Sequence, residues 1–261
     1  MTSTLVPALA SGGLVGFSLG LVGGGGSILA TPLLLYVVGV ASPHIAIGTG
    51  ALAVSINAYA NLLAHARKGH VRWLCASVFA ALGSLGALVG SSLGLVVDGT
   101  RLLLLFGALM VVVGLLMLRP RGVSRGDERP VDRRMCALTA AAALATGGAS
   151  GFFGIGGGFL IVPALVFATG MPMINAIGSS LLAVGTFGLA TALNYARSGL
   201  VDWVVAVQFI SGGVAGGILG MLLATHLSKG KATLNRIFAA LILTVAIYVI
   251  FKNLPMAIGI A

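Results

Sequence analysis

The sequence predicts an all-α polytopic membrane protein made of two homologous copies of about five membrane elements each, with short helices that are glycine-broken or re-entrant. Three observations predict this fold class. Of the 261 residues, 58% are hydrophobic and 8% are charged, and the mean hydropathy is +1.12. A soluble domain of this length has much less apolar surface to bury. In addition, long stretches lack any charge, and one glycine-rich motif occurs twice.

The charge-free stretches approach or exceed the length of about 20 residues that one helical span requires. They show no alternation of the kind found in membrane β-strands, as "LLLLFGALMVVVGLLML" illustrates, so we interpret them as helices. The chain contains no Lys or Arg before Arg67, and we therefore expect the first apolar segment to remain in the mature protein. The stretches are residues 1–66, 73–97, 102–118, 135–196, 203–227 and 237–251.

Two parts of the chain align with each other. The stretch "GGGGSILATP", which starts at Gly23, matches "GIGGGFLIVP", which starts at Gly154. After a single deletion, residues 48–73 then match residues 178–203, and both segments end in Arg-x-Gly-x-Val-x-Trp. Apolar segments often align by chance, but this polar pattern rarely does. We predict a first membrane repeat (1–118), a basic linker (119–134) and a second membrane repeat (135–261).

Five apolar elements follow one another in each repeat. In the first repeat they are residues 5–22, 28–40, 45–66, 73–97 and 102–118. In the second they are residues 135–153, 159–169, 173–196, 203–227 and 232–251. The second element of each repeat is too short to span a bilayer alone, and it directly follows the glycines.

The basic residues indicate how the repeats are oriented. The linker contains six arginines and is predicted to be cytoplasmic by the positive-inside rule. Five crossings per repeat would make the repeats inverted, whereas a re-entrant or broken first pair would make them parallel. Parallel repeats would place the basic residues between 229 and 236 outside, so the rule favours inverted repeats. Because the basic residues lie in short loops between spans, we expect no nucleic-acid partner.

The duplicated glycines are the candidate substrate site. In repeat-built transporters, a pair of short, Gly- or Pro-interrupted segments points to a site near the membrane midplane. A helix that starts there presents unpaired N–H groups and the positive end of its dipole to a small anion. Ser27 can add a hydroxyl donor or cap the following helix. The candidate residues are Gly24, Gly25, Gly26 and Ser27 in the first repeat and Gly156, Gly157 and Gly158 in the second.

Close packing of helices is the competing explanation for glycines in membrane segments. Glycines recur at every fourth position in three ladders, which we assign to packing, while we assign the duplicated cluster and its proline to a site. The ladders are Gly12, Gly16, Gly20 and Gly24; Gly86, Gly90 and Gly94; and Gly212, Gly216 and Gly220.

Polar side chains in the third elements are candidate lining residues. Asn57 and Asn61 are four positions apart and share a helix face. His65 continues this spacing and can titrate near neutral pH, although a single histidine at a helix end is more often structural. All of these side chains can instead link helices to each other. In the second repeat the candidates are Ser179, Thr186 and Asn194.

The charged residues narrow the chemistry further. No Asp or Glu lies inside a span, which disfavours both a carboxylate proton relay and a cation substrate. Arg67 and Arg197, at matching helix ends, are candidates for a vestibule that attracts anions or for anchors at the membrane interface. Cys75 and Cys136 are too few for a disulfide framework or a metal cluster, so we expect no cofactor and no metal.

These motifs resemble those of the sulfite exporter TauE/SafE family of membrane transporters. The similarity rests on the duplicated Gly-x-Gly-Gly-Gly with its apolar run and proline, and on Arg-x-Gly-x-Val-x-Trp, and it covers nearly the whole chain. It implies a bacterial inner-membrane permease for sulfite, sulfoacetate or related anions, often with proton linkage, without specifying the anion. The first repeat departs from the pattern because Ser27 replaces the last glycine, which makes Ser27 a candidate for selectivity.

Three classes of function follow from this sequence. The first is a secondary anion transporter that binds its substrate between the two glycine-broken helix starts, and the second is an anion channel of the same fold. A membrane enzyme or assembly factor is the third, but a nucleophile, metal cluster or carboxylate pair is missing from the spans. We therefore expect a transporter, not an enzyme, with a small anion and the lipid bilayer as partners. Self-association into a homo-oligomer is left open.

Overall fold

The computed structural model describes residues 4–118, 133–154, 158–227 and 243–253. Every regular element in these ranges is helical. The helices are α1 (Leu5–Val22), α2 (Ala30–Leu33), α3 (Pro43–Arg67), α4 (Trp73–Val96), α5 (Gly99–Leu118), α6 (Arg133–Phe153), α7 (Gly158–Thr169), α8 (Met173–Arg197) and α9 (Trp203–Leu227), and α10 (Leu243–Asn253). A 3₁₀ segment, Gly23–Leu29, precedes α2, and a π segment, Leu34–Val38, follows it.

The predicted class of an α-helical polytopic membrane protein is confirmed. Within the described ranges, five helices are long and apolar enough to cross a membrane, namely α1, α3, α4, α8 and α9. The division into two repeats stays a prediction. Most of the linker, Gly156, Gly157 and the basic group at residues 229–236 lie outside the described residues.

Helices α1 and α6 both end at a glycine of the duplicated motif. Gly23 has φ 74° and Gly154 has φ 65°, a backbone conformation that residues with a Cβ rarely adopt. In the first repeat, helical turns resume immediately in the 3₁₀ segment, whereas we predicted the second element to begin at residue 28. The glycines allow these tight turns to pack back onto α1, because a Cβ on Gly26 would lie 2.6 Å from the Ser18 Cβ.

Helices α1 and α9 pack in parallel through their backbones. A Cβ on Gly12, Gly16 or Gly20 would overlap the main chain of α9 at Phe209, Gly213 and Gly217, respectively. The contacts advance along both helices in the same direction. Small residues permit this close approach, which supplies the packing energy that apolar side chains cannot supply between helices in lipid. The prediction that Gly12, Gly16 and Gly20 form a packing seam is confirmed.

Helices α6 and α4 form the same kind of parallel contact. A Cβ on Gly147 would overlap the backbone of Gly83, and a Cβ on Gly151 would overlap the backbone of Ala87. Conversely, a Cβ on Gly90 of α4 would overlap the Gly148 carbonyl of α6. In the alignment that pairs the two glycine motifs, Gly16 corresponds to Gly147 and Gly20 to Gly151. The matched helices therefore use matched glycines.

Helices α3 and α8 pack antiparallel in the centre of the molecule. The Arg72 N–H, just beyond the end of α3, donates to Ser179 Oγ near the start of α8 at 2.9 Å. The Asp202 N–H, just beyond the end of α8, donates to Thr49 Oγ1 near the start of α3, also at 2.9 Å. Between them, Ser55 Oγ donates to the Gly185 carbonyl at 2.6 Å. Each of the two helices therefore accepts a hydrogen bond from the backbone of the connection that follows the other helix.

Helices α4 and α9 lie at the outer surface. In their most apolar stretches 39% of residues are buried, compared with 72% in α3 and 78% in α8. Trp73 and Trp203, at the first positions of α4 and α9, are 57% and 61% exposed. Tryptophan is enriched where a membrane helix meets the lipid headgroups. The exposed apolar side chains of these helices are thus suited to contact lipid.

Gly16 and Gly13 on α1 provide a matched test of the glycine seam. Gly16→Ala would place a Cβ against the Gly213 carbonyl, whereas a Cβ on Gly13 would lie 3.6 Å from the Gly212 oxygen, an ordinary contact. We expect Gly16→Ala to destabilise the protein by about 1–3 kcal/mol through overpacking, with little effect from Gly13→Ala. Thermal unfolding of both variants in detergent measures this difference. Equal stability of the two variants would contradict the described α1–α9 contact.

Candidate functional site

The two glycine motifs meet at one point. Gly24, in the 3₁₀ segment, and Gly158, the first residue of α7, are in direct backbone contact. A Cβ on either glycine would overlap the main chain of the other. We call this contact the glycine crossing. Of the other predicted backbone residues, Gly26 packs against α1, no contact is described for Gly25, and Gly156 and Gly157 lie outside the described residues.

The glycine crossing lies beside the middle of α8. A Cβ on Gly24 would lie 2.7 Å from Val184 Cγ2, and Val184 is the twelfth of the 25 residues of α8. One position earlier, a Cβ on Gly23 would lie 2.9 Å from Ile177 Cγ2 and 3.1 Å from Ser180 Oγ. Because α8 has the length and hydropathy of a membrane span, the crossing is at about half its depth.

The helical segments on either side of the crossing run in opposite directions. The π segment ends at Val38, close to the start of α3, and α7 ends at Thr169, close to the start of α8. Since α3 and α8 are antiparallel, their starts lie at opposite ends of the molecule. Two helical N-termini therefore face each other at the crossing. The N–H groups of a first helical turn lack partners within the helix, and the dipole makes this end positive.

Ser27 is fully buried beside the crossing. Its hydroxyl donates to the Gly24 carbonyl at 2.8 Å, three positions earlier in the chain. The side chain therefore stabilises the 3₁₀ turn that contains Gly24. In the second repeat the equivalent position is Gly158, which has no hydroxyl. The two helix starts at the crossing are consequently different in their side chains.

Asn57 and Asn61 face α1 and α9. Asn61 Nδ2 donates to the Asn57 carbonyl at 2.9 Å, and its Oδ1 is 3.0 Å from the position of a Cβ on Gly20. The Asn57 amide lies directly over Gly213. Asn57 is fully buried, yet neither its Nδ2 nor its Oδ1 has a hydrogen-bond partner. Asn61 has a structural bond, while Asn57 is a buried amide with unused donors and acceptors.

The candidates in the second repeat all have structural partners. Ser179 accepts the Arg72 N–H, as described above, and the Thr186 hydroxyl contacts the Leu182 and Ala183 carbonyls of its own helix at 3.1 and 3.0 Å. Asn194 Nδ2 donates to Ser91 Oγ at 2.9 Å and to Ser92 Oγ at 3.1 Å. Asn194 lies ten positions beyond Val184, about 15 Å along α8. The structure thus does not bring Asn194 to the crossing.

One buried residue of the duplicated motif was missed from the predicted site. Thr31 in α2 is 1% exposed, and its Oγ1 has no hydrogen-bond partner. It lies four positions after Ser27 and directly before the motif proline, Pro32. Its position in the motif was the available signal, but the second repeat has Val162 at the matching position. A polar group present in only one copy is not detected by a comparison of the copies.

Charged side chains are found at helix ends. Arg67 and Arg197 are exposed and lie at opposite ends of the antiparallel α3–α8 pair. Asp98 accepts the Thr100 and Arg101 N–H groups at the start of α5, and Asp202 accepts the Val205 N–H at the start of α9. The described helices contain no Asp or Glu, and no cluster of potential metal ligands occurs among the described residues.

The chain is similar to known membrane transporters. A sequence model described as "Sulfite exporter TauE/SafE" matches residues 8–249. A "Probable membrane transporter protein" of Xylella fastidiosa (strain 9a5c) is 66% identical over 96% of both chains. The "Probable membrane transporter protein YunE" of Bacillus subtilis is 26% identical over 80% of this chain and 84% of its own. No solved structure matches the chain.

The contrast between Asn57 and Asn194 is testable by stability. Asn194→Leu removes the hydrogen bonds to α4, and we expect a loss of about 1 kcal/mol. Asn57→Leu removes an unpaired buried amide with a similar volume, so we expect stability to be unchanged or increased. Thermal unfolding in detergent compares the two variants. A loss for Asn57→Leu as large as that for Asn194→Leu would show that the Asn57 amide has a stabilising partner.

Proposed function

The chain belongs to the sulfite exporter TauE/SafE family and is a multi-pass membrane transporter rather than an enzyme, and we propose that it moves a small sulfur-containing anion across the inner membrane. Sulfite, or an organosulfonate such as sulfoacetate, is the proposed cargo. The family relationship supports this choice of anion. The proposed binding site is the glycine crossing, between the two glycine-broken helix starts.

The observation on which this proposal depends is the meeting of two helical N-termini at the glycine crossing. Each N-terminus has the equivalent of about half a positive charge, and at glycine no Cβ separates an anion from the N–H groups. The contact between Gly24 and Gly158 is at mid-length of α8. In the described helices no carboxylate opposes this positive potential. An anion is therefore the favoured ligand at this depth.

The packing of α3 and α8 supports inverted repeats. If the repeats were parallel, helices at matching positions of the two copies would run in the same direction. Helices α3 and α8 begin and end at positions that match in the alignment of the repeats. They run antiparallel, as the exchanged hydrogen bonds to Ser179 and Thr49 require. Inverted repeats permit alternating access, in which one copy rocks against the other around a fixed central site.

The same geometry favours a transporter over a channel. The backbones of Gly24 and Gly158 touch, so the two helix starts must separate before an anion passes between them. Passage thus requires a conformational change at every cycle. Proton linkage is part of the proposal: the proton travels either with sulfite, which is a weak acid, or on a titratable group of the protein. Transport of sulfite that is independent of pH would count against this last point.

Uptake of labelled sulfite into proteoliposomes tests the proposed site. We expect saturable uptake that sulfoacetate or thiosulfate inhibits more strongly than chloride does. Gly158→Ala inserts a Cβ into the crossing, and we expect it to reduce uptake by about tenfold or more, the effect of roughly 1.4 kcal/mol. The matched control is Gly148→Ala, since a Cβ on Gly148 would lie 3.9 Å from the nearest atom, the Gly86 oxygen.

Two outcomes would contradict the proposal. If purified, folded protein takes up none of the sulfur anions, the proposed function fails. If uptake is normal in folded Gly158→Ala protein, and also in folded Gly25→Leu and Gly156→Leu protein, the function stands but the crossing is a packing contact.

Ser27 is proposed to influence which anion is preferred. Ser27→Gly removes the bond to the Gly24 carbonyl and makes the first repeat resemble the second, so we expect the relative inhibition by sulfoacetate and sulfate to change. Ser84→Gly is a suitable control because Ser84 Oγ makes the same bond, to the Ala81 carbonyl at 2.8 Å, on α4. Competition assays with labelled sulfite measure the preference. An unchanged order of inhibition in both variants would exclude a role for Ser27 in selectivity.

A further inference from the structure

A buried polar stripe runs along α3, formed by Asn57, Asn61 and His65. The three residues are spaced by four and share one face of the helix. They are 0%, 3% and 1% exposed. Glycines of α1 and α9 cover the stripe, since Gly20 and Gly217 contact the Asn61 amide. An ionisable side chain inside a membrane protein is a candidate functional group, and here the His65 imidazole stands at the end of a row of buried amides.

The matching face of α8 is different. In the alignment of the repeats, the positions of Asn57, Asn61 and His65 are occupied by Phe187, Thr191 and Tyr195, which are also fully buried. Packing by itself can therefore be achieved at these positions without an amide or an imidazole. The ring of Phe187 fills the space over Gly83, as the Asn57 amide does over Gly213. The row of amides and imidazole is thus present on α3 and not on α8.

His65 has one ring nitrogen available to bind a proton. Its Nε2 is 3.5 Å from the Gly20 carbonyl, and because a carbonyl only accepts, this contact is a hydrogen bond in the tautomer that has its hydrogen on Nε2. The other nitrogen, Nδ1, is buried and has no hydrogen-bond partner. In that tautomer, Nδ1 is an unprotonated acceptor.

A second histidine connects His65 to the end of the molecule. The His70 ring lies 5.7 Å from the His65 ring, centroid to centroid, and its Nδ1 also has no hydrogen-bond partner. His70 is half-buried, in the connection between α3 and α4. By the positive-inside rule this basic connection is predicted to be cytoplasmic.

The charged and titratable neighbours of His65 are few. Arg67, Lys68, His70 and Arg72 belong to the end of α3 and the following connection. Helix α1 contains no ionisable residue, Arg197 of α8 lies at the opposite end of the molecule, and α9 contains His226 near its C-terminal end. No described carboxylate faces His65 at this end of α3.

The polar stripe lies close to the glycine crossing. Gly20 contacts Asn61 and accepts the bond from His65, and Gly24, four positions later, forms the crossing with Gly158. The chain turns between these two glycines, because α1 ends at Val22 and Gly23 has φ 74°. A change at His65 can therefore reach the proposed anion site through Gly20 and the glycine turn that follows α1.

We propose that His65 is the proton-binding group of this transporter, reached from the α3–α4 connection through His70, and that Asn61 and Asn57 extend the polar path to mid-depth. Nδ1 takes one proton to form the imidazolium, and the proton leaves the same nitrogen when the ring returns to its neutral form, so no other reactant is needed. This inference rests on the proposed function. It assigns proton coupling to the protein rather than to a weakly acidic substrate.

Labelled sulfoacetate is the appropriate probe, because its acid groups stay ionised between about pH 6 and 8, where histidine titrates. With the membrane potential clamped, a proton gradient that changes its uptake must therefore act on the protein. We expect an imposed gradient to stimulate uptake by the unmodified protein, and His65→Gln to lose this response. His44→Gln is the matched control, since His44 Nε2 contacts the Val97 carbonyl at 3.1 Å near the start of α3, and it is expected to keep the response.

A direct titration of His65 by NMR tests the inference even if the His65→Gln variant fails to fold. The chain has four histidines, so a variant with His44, His70 and His226 each replaced by Gln leaves His65 as the only imidazole for NMR. We expect the chemical shifts of this imidazole to change with pH as Nδ1 takes up its proton. Absence of titration, or a gradient response retained in folded His65→Gln protein, would overturn the inference.

The remaining outcomes separate this inference from the proposed function. If sulfite uptake responds to the gradient and sulfoacetate uptake does not, the proton travels with the substrate and the role of His65 is excluded, while anion transport stands. If neither anion is taken up by folded protein, the proposed function itself fails, and the inference fails with it.

Discussion

Direct backbone contact between helices at glycine is the interaction on which the rest of this structure depends. Within lipid, apolar side chains gain little by moving from a lipid neighbour to a helix neighbour, so packing must come from close approach. Gly16 against Gly213 and Gly147 against Gly83 bring α1 to α9 and α6 to α4. These two pairs enclose α3 and α8. The central pair is then stabilised by side-chain hydrogen bonds to the connections that leave each helix.

The glycine crossing uses the same property of glycine for a different purpose. At Gly24 and Gly158 the missing Cβ allows two helix starts to meet, so the positive ends of two dipoles converge at mid-depth. Helix dipoles pointing towards each other with like ends are unfavourable unless a negative charge lies between them. The arrangement is therefore understandable if an anion is the cargo. An anionic cargo is also compatible with the lack of a carboxylate in the described helices, because a carboxylate would compete with that anion.

The two central helices, α3 and α8, differ in the buried side chains at positions that match in the alignment of the predicted repeats. Asn57, Asn61 and His65 on α3 face the α1–α9 seam, whereas Phe187, Thr191 and Tyr195 occupy the same positions on α8. A pair of repeats with identical interiors would give both membrane faces the same chemistry. A titratable residue on one side allows the two faces to respond differently to pH. The pairing of similar frameworks with different buried side chains is thus compatible with directional transport.

The sequence by itself determined the helical membrane class, the long helices and the duplicated motif, because hydropathy, segment length and the Gly and Pro positions are local properties. It also indicated the family, through motifs that are read without a structure. Only the tertiary structure decided which polar side chains have partners. Asn194 bonds to Ser91 and Ser92, while Asn57, of the same residue type, has none. The tertiary structure also decided that Gly24 contacts Gly158 whereas Gly16 contacts Gly213, although Gly16 and Gly24 belong to the same ladder. The physical reason is that the type of a residue determines which contacts its side chain or backbone can make. Which residue it actually contacts depends on how segments that are distant in the sequence pack together.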